Sequence, residues 1–208
     1  MPRILLTGFT PFLGYDVNPT QRLVEAVAGG AIRLTGAAVA ARLLRTDYRL
    51  SEVDFDAALA DVRPDAIVAF GLAFSADEVR PERIAVNFDD GEEAGLPVAR
   101  RIAADGPVGY WSTLPVDAML AALAGAGLPV KASNHAGGFI CNHIFYYARH
   151  RIEREQLGLP MGFVHVPPLP EQLGDAPERK GLAIERLLEA ARVILAVVAE
   201  RIGAPVAA

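Results

Sequence analysis

The hydrophobic pattern divides the chain into short apolar runs that alternate with amphipathic segments. The apolar runs are predicted to be buried strands, and they cover residues 3–7, 37–44, 65–70, 83–88, 129–133 and 162–166. The amphipathic segments are predicted to be helices, one starting at Asn18-Pro19-Thr20 and the others covering residues 50–62, 116–124, 139–152 and 181–202. This alternation predicts an α/β fold, in which helices cover both faces of a sheet.

Two segments show neither the strand pattern nor the helix pattern: residues 8–17 and the longer segment of residues 89–107. A loop of about 19 residues within a compact domain is more often a binding loop or a lid than a simple connector. The sequence has no internal repeat and no low-complexity linker. We therefore expect one domain over residues 1–208, with a frayed tail at residues 203–208.

Composition and charge narrow the functional classes. With 52% hydrophobic and 22% charged residues, the chain is typical of a packed protein, and its net charge of −5 without a dense Lys/Arg block argues against nucleic-acid binding. The most apolar stretch, residues 114–130, contains Asp117 and several glycines and prolines, so it predicts no membrane span. The N-terminus does not resemble a signal peptide, and a single cysteine cannot form an internal disulfide. We therefore expect a cytoplasmic location.

The single cysteine, Cys141, follows Gly137-Gly138 at the start of a predicted helix. A lone cysteine is most simply a small buried hydrophobic residue. However, the two glycines allow a tight turn, and a thiol at a helix N-terminus has a lowered pKa. The first backbone N–H groups of the helix could also hold an oxyanion. One turn could therefore both activate a nucleophile and stabilise its intermediate.

A nucleophilic thiol needs a base, and the chain has four histidines. His143 is about 200° around the helix from Cys141 and is expected to face away. His150, between two arginines, is expected to be a solvated cation, and His135 could either contact the site or be a loop residue. His165 ends an apolar strand, where sites of α/β sheets gather, so it is either a general base or a satisfied core histidine.

A third group should orient the imidazole of the base and stabilise its charged form. Glu82 directly precedes an apolar strand and is one candidate. It could equally be a surface cap, and spacing alone does not separate it from Asp77 or Glu78.

Several segments, in order along most of the chain, resemble the pyroglutamyl peptidase I family, also called pyrrolidone-carboxylate peptidases. They are Leu5-Leu6-Thr7-Gly8-Phe9-Thr10-Pro11-Phe12 with Gly14 and Asn18-Pro19-Thr20; Pro81-Glu82-Arg83-Ile84-Ala85-Val86-Asn87; Gly106-Pro107 with Tyr110-Trp111-Ser112-Thr113-Leu114-Pro115; Ala136-Gly137-Gly138-Phe139-Ile140-Cys141-Asn142; and Gly162-Phe163-Val164-His165-Val166-Pro167 with Pro170-Glu171-Gln172. Each motif alone is moderately specific, whereas all of them together at compatible spacings are strong.

The resemblance implies a cysteine exopeptidase that removes N-terminal pyroglutamate from peptides. It implies a three-layer α/β/α sandwich with a mixed, mostly parallel central sheet of the phosphorylase/hydrolase-like type. It also implies a dimer or tetramer and no metal or cofactor.

The resemblance also assigns residues. Glu82, Cys141 and His165 would form the catalytic triad. Phe9 and Phe12 would wall a pocket for the pyrrolidone ring, although simple core packing is the alternative for both. Asn18 would lie near that pocket, and the backbone at Gly138 would help hold the oxyanion.

Two departures from the family pattern leave the specificity open. Glu92 stands where the family has an arginine, and Ala76 stands where it has a second one. Arg100 or Arg101 could replace the first and Arg80 the second. The alternatives are a triad amidase with altered acyl specificity and a non-catalytic binding homologue. A nucleoside phosphorylase rests on fold analogy alone, since the glycine loops show no phosphate cradle.

Overall fold

A computed structural model describes residues 1–12, 16–93, 96–174 and 179–203. Within these ranges the strands are β1 Arg3–Phe9, β2 Ala38–Leu44, β3 Ala66–Leu72, β4 Arg80–Pro81, β5 Ile84–Val86, β6 Asp89–Glu93, β7 Leu96–Arg100, β8 Gly109–Trp111 and β9 Met161–Val166. The α-helices are α1 Pro19–Ala28, α2 Tyr48–Val62, α3 Val116–Gly125, α4 Ile140–Arg154 and α5 Ile184–Gly203.

The central sheet has the strand order β2-β1-β3-β9-β4. The first four strands are parallel, and β4 runs antiparallel to β9 with Arg80 opposite His165. The carboxyl ends of the parallel strands therefore meet at one edge of the sheet. The predicted mixed, mostly parallel sheet is confirmed.

The helices pack on both faces of this sheet because the buried strands carry apolar side chains on both sides. Ile4 and Leu6 of β1 belong to a core cluster with residues of α1, α3 and α5. Leu5, between them, points to a second cluster with residues of α2 and α4. This period of two is that of a strand buried on both faces. The three-layer α/β/α prediction is confirmed.

Two helices that flank the strand ends have side-chain caps. Asn18 Oδ1 accepts a hydrogen bond from the Thr20 N–H at 3.0 Å, and Pro19 occupies the first position of α1, as the sequence predicted. Asp47 Oδ1 accepts from the Leu50 N–H at 2.7 Å and starts α2. These caps satisfy N–H groups that would otherwise lack partners, and they fix where both helices begin.

Three predictions about irregular segments and strands need correction. Residues 89–107 are not one long loop, because β6 and β7 form an antiparallel hairpin within them. The predicted strand at residues 129–133 forms only isolated bridges, Val79 with Val130 and Glu82 with Ser133. Residues 8–17 are not wholly irregular, since β1 extends to Phe9.

The predicted tail and one motif residue fall partly outside the described residues. Residues 204–208 and Gly14 lie outside them, as does the side chain of Glu92. In the part of the chain that the structure describes, no helix combines the length and the apolar character that a membrane crossing requires.

Candidate active site

The short strand β4 brings Glu82 to His165. The Glu82 N–H donates to the Phe163 carbonyl oxygen at 2.9 Å, which continues the pairing of β4 with β9. From this position Glu82 Oε1 lies 2.7 Å from His165 Nδ1. Both side chains are buried, Glu82 at 1% exposure and His165 at 6%. The carboxylate therefore accepts the Nδ1–H and leaves Nε2 for another partner.

That partner is Cys141, the second residue of α4, whose sulfur lies close enough to raise the pKa of His165. The thiol lies across β3 at Gly71, the residue paired with His165 in the sheet. A Cβ at position 71 would be only 2.7 Å from Cys141 Sγ. Strand β3 thus needs a glycine here so that the thiol can approach the histidine.

The protonation of His165 follows from its surroundings. Burial alone lowers the pKa of His165, but the charge and hydrogen bond of Cys141 and those of Glu82 raise it to about 9. The imidazole is therefore protonated at neutral pH when the sulfur is a thiolate. A protonated His165 beside the thiol is the form that can donate a proton to a leaving group.

The turn before α4 presents backbone donors beside the sulfur. Gly137 has a φ of +82°, in the left-handed region that favours glycine. A Cβ at Gly138 would be 2.7 Å from Asp90 Cβ, so β6 packs directly on the backbone. Among the described residues, no side chain caps α4. Its first N–H groups, at the positive end of the helix dipole, can therefore receive an oxyanion.

A small apolar pocket opens next to the thiol. Its empty volume, open mouth included, is about 240 Å³. It is lined by Phe9, Phe12, Asn18, Thr46, Leu72, Phe139, Ile140 and Cys141. Three phenylalanine side chains in this lining, Phe9, Phe12 and Phe139, give the pocket its apolar character.

Comparison with known proteins agrees with this geometry. Residues 2–201 match the family model described as pyroglutamyl peptidase. The pyrrolidone-carboxylate peptidase of Bacillus licheniformis is 39% identical over 195 residues, which cover 92% of this chain and 89% of the relative. That of Cupriavidus taiwanensis is 38% identical over 201 residues, covering 94% and 92%.

This chain belongs to the pyroglutamyl peptidase family.

Solved structures of pyroglutamyl peptidases have the same fold. The crystal structure of pyroglutamyl peptidase I from Bacillus amyloliquefaciens matches with a TM-score of 0.90 at 30% identity, covering 96% of this chain and 97% of the other. The pyrrolidone carboxyl peptidase of Thermococcus litoralis matches with a TM-score of 0.88 at 28% identity, covering 95% and 93%.

Asn18 lines the pocket of this pyroglutamyl peptidase family member and also braces it. Its Oδ1 accepts from the Thr20 hydroxyl at 2.8 Å, and its Nδ2 donates to the Thr10 carbonyl oxygen at 3.2 Å. The Phe9 N–H in turn donates to Thr20 Oγ1 at 2.9 Å. These bonds hold the segment that carries Phe9 and Phe12 onto the start of α1.

The other histidines have structural partners. His135 is exposed, and its Nδ1 accepts from the Gly137 N–H at 2.9 Å, so it shapes the turn. His143 is buried and contacts Asp89 and Glu52. His150 is less solvated than predicted: its side chain is half-buried, with Nδ1 2.9 Å from the Tyr110 hydroxyl.

The arginines considered as replacements already have partners. Arg100 lies against Asp89, with Nε 3.5 Å from Oδ2. Arg101 donates to the Ala104 carbonyl oxygen at 3.3 Å. Arg80 donates to Glu78 at 3.0 Å.

The cation that does lie at Ala76 comes from Arg179, which sequence reasoning missed. Arg179 Nη2 donates to the Ala76 carbonyl oxygen at 2.8 Å, and its Nε donates to Asp77 at 3.2 Å. A separation of 103 residues leaves no local signal for this contact.

The sequence analysis did not assign four of the lining residues to the pocket. Phe139 and Ile140 stand inside the motif around Cys141, so their apolar character was a usable signal. Thr46 and Leu72 lie at or just beyond the ends of β2 and β3, and only the general rule about carboxyl strand ends points to them.

In the described ranges, no group of three or more His, Cys, Asp and Glu side chains could hold a metal ion.

Proposed function

We propose that this chain is pyroglutamyl-peptidase I, a cysteine exopeptidase that removes an N-terminal pyroglutamyl residue from peptides. The observation that carries the proposal is the series Glu82–His165–Cys141 beside a small apolar pocket: the carboxylate contacts the imidazole at 2.7 Å, and the sulfur is near enough to raise the pKa of that imidazole. A nucleophile, a base and an orienting acid have no use in mere binding, so this series favours a hydrolase over a binding homologue.

In the proposed mechanism the Cys141 thiolate attacks the pyroglutamyl carbonyl carbon. The oxygen takes up the electron pair and is held by backbone N–H groups of residues 138–141. The tetrahedral intermediate then collapses, the peptide C–N bond breaks, and the His165 imidazolium gives its proton to the leaving amine. Water, deprotonated by His165, attacks the thioester carbonyl, the C–S bond breaks, and pyroglutamate leaves; the sulfur is released as a thiolate and His165 keeps the proton, which restores the starting pair. Each well-placed oxyanion donor is worth about 2.7–4 kcal/mol of transition-state stabilisation.

Recognition of the ring would rest on the apolar pocket. Pyroglutamate has no free α-amine, so it needs no acidic clamp. Phe9, Phe12 and Phe139 present ring surfaces, with the Phe12 and Phe139 centroids 6.2 Å apart. Burying an apolar group of this size stabilises the complex by about 1.5–3 kcal/mol.

The domain organisation, the oligomeric state and the cellular location are part of the same proposal. We infer a single peptidase domain over residues 1–208, a dimer or tetramer, and a cytoplasmic location. The family membership and the net charge of −5 without a basic block support this setting. Sedimentation velocity on the purified chain tests the oligomeric state.

The test is release of the fluorophore from pyroglutamyl-aminomethylcoumarin by the wild type and by Cys141→Ala. Prolyl-aminomethylcoumarin, which has a ring amine instead of the lactam, is the control substrate. Turnover of the first substrate alone, lost in the variant, is the expected result.

A folded wild type that leaves pyroglutamyl-aminomethylcoumarin intact would overturn the proposal. Activity regained in Glu92→Arg would then indicate a changed acyl specificity. Binding of free pyroglutamate without turnover in either protein would indicate a binding homologue.

A further inference from the structure

A second buried histidine lies close to the nucleophile and is not used in the mechanism. His143, on α4 two residues after Cys141, is 4% exposed. Its Nδ1 lies 3.0 and 3.1 Å from the two carboxylate oxygens of Asp89, and its Nε2 lies 3.1 Å from Glu52 Oε1. One imidazole thus joins three elements: α4, α2 and the start of β6.

The charged form of His143 suits this geometry best. A neutral imidazole has one N–H and can donate to only one carboxylate, which leaves a nitrogen lone pair facing the other. An imidazolium donates to both. Burial alone lowers the pKa of His143, but the hydrogen bonds and charges of Asp89 and Glu52 raise it to about 8.

The remaining groups around the imidazole complete a balanced cluster. Tyr48 of α2 meets the ring edge-on at 5.0 Å, and Tyr147 of α4 stacks on it at 6.5 Å. On the side of β7, Arg100 Nε lies 3.5 Å from Asp89 Oδ2. Two carboxylates and two cations therefore face one another across α2, α4 and the hairpin.

The cluster connects directly to the turn that presents the oxyanion donors. Asp89 binds His143, and the next residue, Asp90, donates its N–H to the Gly138 carbonyl oxygen at 2.6 Å. Gly91 follows, where a Cβ would be 2.5 Å from the Phe139 ring. Three consecutive residues of β6 thus contact the imidazole, the turn and a wall of the pocket.

We propose that His143, held between Asp89 and Glu52, is a positioning residue that fixes the β6–β7 hairpin against the turn at Gly138 and Phe139. It does not touch the substrate. It acts on the reaction by keeping the oxyanion donors and the Phe139 wall in place. The kinetic part of this inference rests on the proposed peptidase function.

The contacts of His143 with Asp89 and Glu52, here called the clamp, are expected to weaken with rising pH. The pKa of His143 in the folded chain, about 8, is above its ordinary value of 6.5. Its contribution is therefore fully present below pH 6.5 and is lost as the pH rises through about 8. Deprotonation removes one of the two donors, so one of the two carboxylates loses its bond.

The first test variant is Glu52→Gln, which keeps an acceptor for Nε2–H but removes the charge. Without that charge His143 deprotonates at lower pH, so the fall in kcat at alkaline pH should begin earlier. We expect kcat about threefold to tenfold lower than wild type at pH 8, with a smaller loss at pH 6. Asp61→Asn, exposed on the same helix, is the matched control and should follow the wild-type profile.

The second variant, His143→Gln, removes the double donor. A displacement of the turn by about 1 Å lowers kcat roughly 10–100-fold. Alkylation of Cys141 by iodoacetamide needs no oxyanion donors, so its rate should stay within about twofold of wild type. A merely structural loss would instead change both rates together.

Hydrogen exchange provides a readout that does not depend on catalysis. The backbone amides of residues 89–93, 96 and 98–100 should exchange faster in His143→Gln and Glu52→Gln than in wild type or Asp61→Asn. A wild type without turnover would overturn the peptidase function, while this measurement would still test the clamp. Unchanged exchange, or a Glu52→Gln profile equal to that of Asp61→Asn, would refute the positioning role.

Discussion

Gly71 offers a strong test of the active-site geometry, because a single methyl group there should displace the nucleophile. A Cβ at this position would lie 2.7 Å from Cys141 Sγ and 2.6 Å from the Phe163 ring. Ordinary contacts between such atoms are ~3.5–4.0 Å, so neither neighbour can stay in place, and each must move by about 1 Å unless the strand itself shifts.

Of the two neighbours, the thiol can move more easily than the ring. Phe163 is packed on three sides, by Phe9 at 6.3 Å, Phe145 at 6.0 Å and His165 at 5.0 Å between centroids. Cys141 borders the pocket and is only half-buried. In Gly71→Ala we therefore expect the sulfur to shift away from His165.

The expected result is a drop in kcat/KM of roughly 100-fold, the typical effect of a 1 Å misplacement. Overpacking should also lower the free energy of unfolding by about 1–3 kcal/mol. The measurements are kcat/KM on pyroglutamyl-aminomethylcoumarin and urea unfolding followed by circular dichroism.

Gly125→Ala is the matched control. Gly125 ends α3, and nothing lies within 4 Å of a Cβ built there. The control should keep wild-type kcat/KM and unchanged or slightly greater stability. If Gly71→Ala retains kcat/KM within threefold of this control, the close approach of thiol to β3 is not a requirement and the reasoning is refuted.

Three further outcomes follow from the same site. Glu82→Gln should lower kcat by roughly 10²–10⁴-fold, because the amide cannot stabilise the imidazolium, and steady-state kinetics measure it. Since the pKa of His165 is raised to about 9, activity should persist through neutral pH and fall as the pH rises through about 9. In Glu82→Gln this fall should come at lower pH. The pH profile of kcat/KM measures both. Phe139→Ala should raise KM about tenfold or more through lost ring contact, whereas an unchanged KM would exclude Phe139 from the pocket.

The fold could be predicted because the signals were local. Strands β1, β3 and β9 are nearly continuous apolar runs, as expected of strands buried on both faces. The start of α1 was encoded in Asn18 and Pro19. The β6–β7 hairpin has no comparable apolar run. Val98 is the one buried residue of β7, and its neighbours in the strand are exposed.

The site was only partly readable for a similar reason. Cys141 and His165 stand out by their local positions, after a glycine turn and at a strand end. Glu82 was chosen over Asp77 and Glu78 by resemblance alone, since β4 has only two residues and no periodicity. In the structure Glu78 pairs with Arg80 and Asp77 with Arg179, which leaves Glu82 at the histidine.

The two buried histidines show how partners decide function. In the proposed roles each is an imidazolium held by carboxylate. His165 has Glu82 on one nitrogen and a thiol on the other, so its second proton faces the one group that can take it up and yield it again during turnover. His143 has carboxylates on both nitrogens, so neither of its protons faces a group that takes part in the proposed reaction. The same side chain that serves as acid and base at His165 can therefore serve at His143 only to hold elements together.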